Sequence, residues 1–208
     1  VVQFSETPVT GMADWAKVTA EKQAYDRKFG GNLDFLTTDV TSGERALGNS
    51  KEKLADPTME VVCDVKGIHI LVRQADPKAK AVELGLVGNC SFEGYIAPGE
   101  NTPYECFMYT PQSGQASVFN TMYATFAHRP MEAHTPERKF RFESAYADGE
   151  SRHYLFFSWE NWMQRIPQDG SVWDFENMCW HRAGSSCWNG TESIHGRSTW
   201  GEFEFRLT

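Results

Sequence analysis

The sequence predicts an all-β fold: an antiparallel β-sandwich with jelly-roll or immunoglobulin-like layering and a few short helices in its connections. Three observations lead there. Short segments alternate apolar and polar residues at a period of two, as in Phe203, Phe205 and Leu207 against Glu202, Glu204 and Arg206. Tight-turn signals, Lys66-Gly67 and Ala147-Asp148-Gly149-Glu150, separate pairs of such segments. Helical spacing is confined to two places.

The first of these follows Asp14, where Trp15, Val18, Tyr25 and Phe29 fall on one helical stripe that Gly30-Gly31 ends. Residues 30–57, rich in Gly, Thr, Asp and Asn, read as a long surface loop. The expected organisation is one domain over 1–208, with an N-terminal helix and loop (1–57) packed on it. Met59, Val61, Cys63 and Val65 alternate with Glu60, Val62 and Asp64, and Ile68, Ile70 and Val72 return after the turn. Asp76-Pro77 opens a second short helix over Lys78–Leu84, closed by Gly85: an N-cap, a first-turn proline and a terminal glycine. Phe140 and Phe142 lead into the Asp148-Gly149 turn, and His153–Trp159 runs back.

The chain has 208 residues, 40% hydrophobic and 23% charged, an ordinary globular balance able to bury a core. Its net charge of −8 argues against nucleic acid, because nothing here would neutralise a row of phosphates. No apolar run approaches the roughly 20 residues of a membrane span. No signal peptide begins at Val1, so the chain is expected to be cytosolic or a mature or excised piece of something longer. Cys63, Cys90, Cys106, Cys179 and Cys187 form no CxxC, and an odd count leaves one unpaired if disulfides form. Cys179 and Cys187 bracket a turn and suit a cross-strand bridge or two free thiols. Cys90 and Cys106 bracket another strand-turn-strand segment. Asn89-Cys-Ser and Asn189-Gly-Thr are formal glycosylation sequons, triplets too common by chance to decide anything, and export is favoured weakly.

Four of the seven tryptophans, Trp173, Trp180, Trp188 and Trp200, fall near the C-terminus, interleaved with Arg182, Asn189, His195 and Glu202. Indole faces beside planar hydrogen-bonding groups suit a flat, hydroxylated ligand such as a sugar ring. Large β-formers filling a core would read the same way for Trp173 and Trp200. Trp188 differs, because Ser185-Ser186-Cys187-Trp188-Asn189-Gly190 reads as a loop, where a Trp is expected to be exposed.

None of GxSxG, HExxH, a P-loop or GxGxxG is present. Glu160, Asp174 and Glu176 are the carboxylates that would have to converge for glycoside chemistry. Cys179, His181, Cys187 and His195 offer zinc-type ligands, but not at a recognised zinc spacing. His128 and His134 flank a proline-containing loop, and no Met/His pair is positioned for haem. Asp34, Asp39, Glu44 and Asp64 are too scattered to read as a calcium loop.

The order of segments resembles the family 9 carbohydrate-binding modules and the wider DOMON-like sandwiches. The resemblance rests on Glu60–Arg73, Cys90-Ser91-Phe92-Glu93-Gly94-Tyr95, Tyr104-Glu105-Cys106-Phe107, Phe157-Ser158-Trp159-Glu160, Trp173-Asp174-Phe175-Glu176, Cys187-Trp188-Asn189-Gly190 and Trp200–Phe205, across roughly 58–207. It implies a non-catalytic β-sandwich, often calcium-bearing, that holds sugars between two tryptophans. Trp188 matches the C-terminal wall, and Glu93 matches a carboxylate that hydrogen-bonds sugar hydroxyls. Two positions depart from the pattern. Cys90 stands where the family has Asp, and Leu84-Gly85-Leu86-Val87-Gly88 lacks the second wall, for which Trp162 in the Asn161–Arg165 turn is the substitute.

The expected function is therefore recognition of a poly- or oligosaccharide without catalysis, by a secreted, periplasmic or cell-surface protein. The expected site is Trp188, with Asn189, Arg182, Glu93 and Tyr104 as polar partners and Trp162, Trp180 or Trp173 as a second stacking surface. Calcium is the cofactor that the resemblance implies, and a glycan-degrading catalytic domain is the implied partner. The alternatives are a glycan-active hydrolase or lyase using surface carboxylates, and a structural sandwich with a decayed sugar site.

Overall fold

The computed structural model describes residues 1–20, 22–24, 27–28, 57–76, 91–99, 104–110, 115–122, 141–160, 165–181, 184–188, 197 and 200–208. These build strands β1 (Val2–Phe4), β2 (Lys22–Ala24), β3 (Arg27–Lys28), β4 (Thr58–Cys63), β5 (Gly67–Ala75), β6 (Ser91–Ala97) and β7 (Tyr104–Thr110). There follow β8 (Gln115–Met122), β9 (Arg141–Ala147), β10 (Glu150–Ser158), β11 (Val172–His181), β12 (Gly184–Cys187) and β13 (Gly201–Arg206). The spatial order β8-β7-β6-β11-β13-β1-β4-β5-β10-β9 is antiparallel except around β1, which pairs in parallel with β13 on one side and β4 on the other. Strand β1 thus joins two halves into an all-β sandwich. Further along the same seam, β2 pairs with β4, and β3 pairs with β12.

The two halves share one interior. Met59, Val61 and Cys63 of β4, Ile68, Ile70 and Val72 of β5, and Leu155 and Phe157 of β10 form one cluster with Ile96, Trp173, Phe175, Phe203 and Phe205 from the other half. The alternation in β13 does what its pattern predicts: Phe203 and Phe205 are buried, while Glu202 and Arg206 face water. Burial of each such ring removes apolar surface from water at about 25 cal/mol per Å².

Strand β5 is buried on both faces, because its Leu71, beside Val62 of β4, meets a second apolar cluster with Val9, Trp15 and Tyr154. The cover is the N-terminal segment. Trp15 sits edge-on to Tyr154 with ring centroids 6.1 Å apart, and the Met12 amide donates to Glu143 at 3.0 Å. This segment corrects the expected N-terminal helix. A 3-10 helix occupies only Met12–Lys17, Val18 is extended, and the chain then enters strands β2 and β3. An isolated stripe of few turns is a marginal helix, whereas the open edge of β4 offers a full ladder. Tyr25, Phe29, residues 30–56 of the expected loop and the helix expected over 78–84 lie outside the described residues.

Both predicted turns form. Asp148 and Gly149 have φ of 55° and 75°, the positive pair that a two-residue Asp-Gly hairpin requires. At the other, Asp64 Oδ1 accepts from the amides of Lys66 (2.7 Å) and Gly67 (3.1 Å), leaving Val65 at the tip 73% exposed. No helix among the described residues is long and apolar enough to cross a membrane.

Candidate functional site

Trp188 occupies the bend after β12. Its amide donates to the Asn177 carbonyl at 2.9 Å, extending the β11–β12 ladder by one rung. The ring turns back onto the interior of the sandwich, with centroids 5.7 Å from Phe175 and 5.6 Å from Phe203. It is half-buried rather than fully exposed, packed against the core cluster. Asn177, directly beside it on β11, is buried, and Gly201 pairs with Phe175 beneath the ring.

The other predicted site residues separate into three groups. Asn189, Arg182 and Trp162 lie outside the described residues. Glu93 and Trp180 are placed by backbone register: Glu93 opposes Met178, and Trp180 opposes Ser91 and Ser185. Those β11 positions have one parity, and Asn177, next to Trp188, has the other, so the register does not align Glu93 with Trp188. Trp173 and Tyr104 are corrections. Trp173 is 3% exposed, edge-on to Trp159 (5.8 Å) and Phe205 (4.9 Å), and offers no open face. Tyr104, also 3% exposed, packs with Tyr95 (5.7 Å) and Trp200 (4.9 Å). In both cases the strand pairing brings a covering layer that local sequence does not announce.

The carboxylates considered for catalysis have separate environments. Glu160 is exposed beyond β10. Asp174 is bound by Arg197 Nε at 2.5 Å, and Arg197 also donates to the Gly99 carbonyl. Glu176 is fully buried, its Oε1 accepting the Asn177 amide at 2.9 Å. With Arg165 donating to the Pro98 carbonyl at 2.9 Å, these contacts pin the end of β6. A glycosidase pair instead needs two carboxyl groups opening on one water-filled cleft.

Among the described residues, no three His, Cys, Asp or Glu side chains gather in a way that could hold a metal ion. Asp64, the one described calcium candidate, accepts from the amides of Val9, Lys66 and Gly67, and His69 Nε2 lies 3.0 Å from its Oδ1. The other calcium candidates, Asp34, Asp39 and Glu44, lie outside the described residues. Cys187 opposes Met178 while Cys179 opposes Ser186, so the two cysteines are one rung out of step and not a cross-strand pair. Sequence reading missed Gly201, although a glycine inside an alternating strand is itself a signal of close approach.

No protein-family model matches the chain, and no curated protein matches it in sequence. Solved structures do match in shape. A protein of Bacteroides uniformis ATCC 8492, provisionally assigned as carbohydrate-binding, superposes with a TM-score of 0.66 at 11% identity, covering 99% of this chain and 97% of its own. A family 9 carbohydrate-binding module from Caldicellulosiruptor kristjanssonii, in complex with cellotriose, gives 0.60 at 11% identity, covering 100% of this chain and 93% of that one. The glucose complex of a family 9 module from the same organism gives 0.58 at 12% identity, covering 100% and 95%. The chain therefore has the sandwich architecture of carbohydrate-binding modules. More narrowly, its fold is that of family 9.

Proposed function

We propose that this protein is a non-catalytic carbohydrate-binding module in which Trp188 supplies the stacking surface for a sugar ring. The observation that carries the reading is the half-buried indole. Phe175, Phe203 and Gly201 fix one side of it at the rim of the interior, and the remainder is left to solvent on a family 9-like fold. An aromatic anchored in this way presents apolar surface at little entropic cost. Asn189, next in the chain, and Arg182, between β11 and β12, are the polar partners assigned to it. The ligand is an oligo- or polysaccharide, and the module acts outside the cytoplasm beside a glycan-degrading enzyme.

The test is titration calorimetry of the intact chain against cello-oligosaccharides and a panel of plant and algal glycans, with chromatography of the same mixtures for products. The expected result is binding without product release, and a loss of roughly tenfold or more in affinity for Trp188→Ala, the scale of a binding hot spot. Released oligosaccharides, or full affinity in Trp188→Ala, would overturn the reading.

A further inference from the structure

We infer that Gly201 is a positioning residue for the Trp188 surface: the side chain it lacks is the seat that holds the indole. This rests on the reading of Trp188 as the stacking residue, and it names a second position on which that surface depends.

A Cβ built on Gly201 would lie 2.4 Å from Trp188 Cζ3, 2.8 Å from Cη2 and 3.0 Å from Cε3. All three atoms belong to the six-membered ring, so the benzo half of the indole sits directly over the glycine backbone. Carbon atoms in contact prefer about 3.5–4.0 Å, so even one methyl group would force the ring to move. The routes for that movement are few. The Trp188 amide is held in the ladder by Asn177, and Phe175 and Phe203 flank the ring on the same face of the sheet. What remains is displacement outward, which changes the tilt of the surface offered to a ligand.

The backbone gives no competing reason for a glycine here. Gly201 heads β13 in extended pairing with Phe175, and its φ lies outside the left-handed region. Any residue could adopt that conformation, and most would favour the strand more than glycine does. The space is what the glycine provides. It also makes the contact one-sided: one part of the indole is given to the protein, so a ligand stacks from the open side.

Four full-length chains form the test: wild type, Gly201→Ala, Trp188→Ala and the double variant, each measured by thermal unfolding, near-ultraviolet circular dichroism and cellotriose titration. Gly201→Ala should lower the melting temperature, change the aromatic dichroism and weaken cellotriose binding roughly tenfold. In the Trp188→Ala background the same methyl group should do none of these, because the three atoms nearest to it are gone. If Gly201→Ala fails to fold, recovery of folding in the double variant supports the seat equally well. Equal effects of Gly201→Ala in both backgrounds, or no effect in either, would overturn the seat. Coupling in stability and dichroism in a chain that binds no glycan would instead sink the proposed function and leave the seat standing, so the two failures are distinguishable.

Discussion

His69 Nε2 lies 3.0 Å from Asp64 Oδ1, both side chains shut off from water under the N-terminal segment. The other ring nitrogen, Nδ1, is 2.9 Å from the Tyr154 hydroxyl, which in turn receives Arg141 Nη2 at 3.2 Å. Arginine can only donate, so the Tyr154 hydroxyl accepts from Arg141, and the buried His69 ring lies between that hydroxyl and the Asp64 carboxylate. Burial pushes the Tyr154 hydroxyl up to about 12, against the pull of Arg141, and keeps it a donor. Arg141 also donates to the Thr10 carbonyl, and Asp64 Oδ2 accepts the Val9 amide at 3.2 Å. The same chain of groups therefore clamps the segment that covers β4 and β5.

Asp64→Asn should be destabilising out of proportion to its size. The amide replaces one acceptor oxygen by a donor, yet the amides of Val9, Lys66 and Gly67 donate to both carboxylate oxygens. At least one buried donor is left without an acceptor, at a cost of about 1–3 kcal/mol. Denaturant unfolding would show a lower midpoint, and hydrogen exchange would show faster exchange at Val9 and Met12. An unchanged midpoint would mean that Asp64 is not the clamp.

Acid should weaken the fold in two successive windows. His153 is fully buried beside Ser144 Oγ (2.9 Å), and burial pulls its pKa from 6.5 down to about 3. The unfolded chain takes up that proton first, so the contribution of neutral His153 is complete above about 6.5 and is lost as pH falls toward about 3. The slope approaches about 1.4 kcal/mol per pH unit within that window. For Asp64, burial alone would raise the carboxyl, but the contacts from His69, Lys66 and Val9 outweigh it and hold it below 3.8. Its contribution is present above that value and is lost as pH falls through the lower, folded pKa. Stability measured against pH for wild type and His153→Gln should diverge between pH 6.5 and about 3, with the variant flatter. Parallel curves would exclude His153 as the source.

Gly67→Ala should cost about 1–3 kcal/mol, the range for overpacking a well-filled site. The added Cβ would lie 2.1 Å from the Phe157 carbonyl oxygen and 2.7 Å from the Phe156 ring. The first obstacle is backbone and cannot rotate away. Gly67 pairs with Ser158 at the start of β5, so the strain would open the β5–β10 ladder at that end. Thermal unfolding decides it, and a melting temperature equal to wild type would contradict the close approach.

Cys63 should resist alkylation in the folded protein. It is fully buried in the shared core, and burial, reinforced by the adjacent Asp64 charge, pushes its thiol up to about 12. The thiolate is the nucleophile, so both access and ionisation oppose reaction. Mass spectrometry after iodoacetamide should find Cys63 modified only in denaturant; rapid native labelling would mean that β4 opens on its own.

How much of this was legible in the sequence depends on the range of the deciding interaction. The Asp64–Gly67 and Asp148-Gly149 turns and the alternation in β13 are local properties, and they appear where their residues predict. The N-terminal stripe failed because the alternative to a helix was the edge of β4, far along the chain, which no window around Trp15 contains. The tryptophans divided for a similar reason. Trp173 and Trp188 both stand among polar and aromatic neighbours in sequence, but Trp173 faces Trp159 and Phe205 across the interior, while Trp188 reaches only its rim.

By itself, then, the sequence determined the strand period, the turns and the all-β class, because each follows from backbone preference and from apolar residues placed every second position. The tertiary structure alone decided which aromatics are fully buried and which is only half-buried, which carboxylates are consumed by structure, and where a missing methyl group makes room for an indole. Those outcomes depend on which strands become neighbours, and burial at a given position is set by what the opposite layer brings to it.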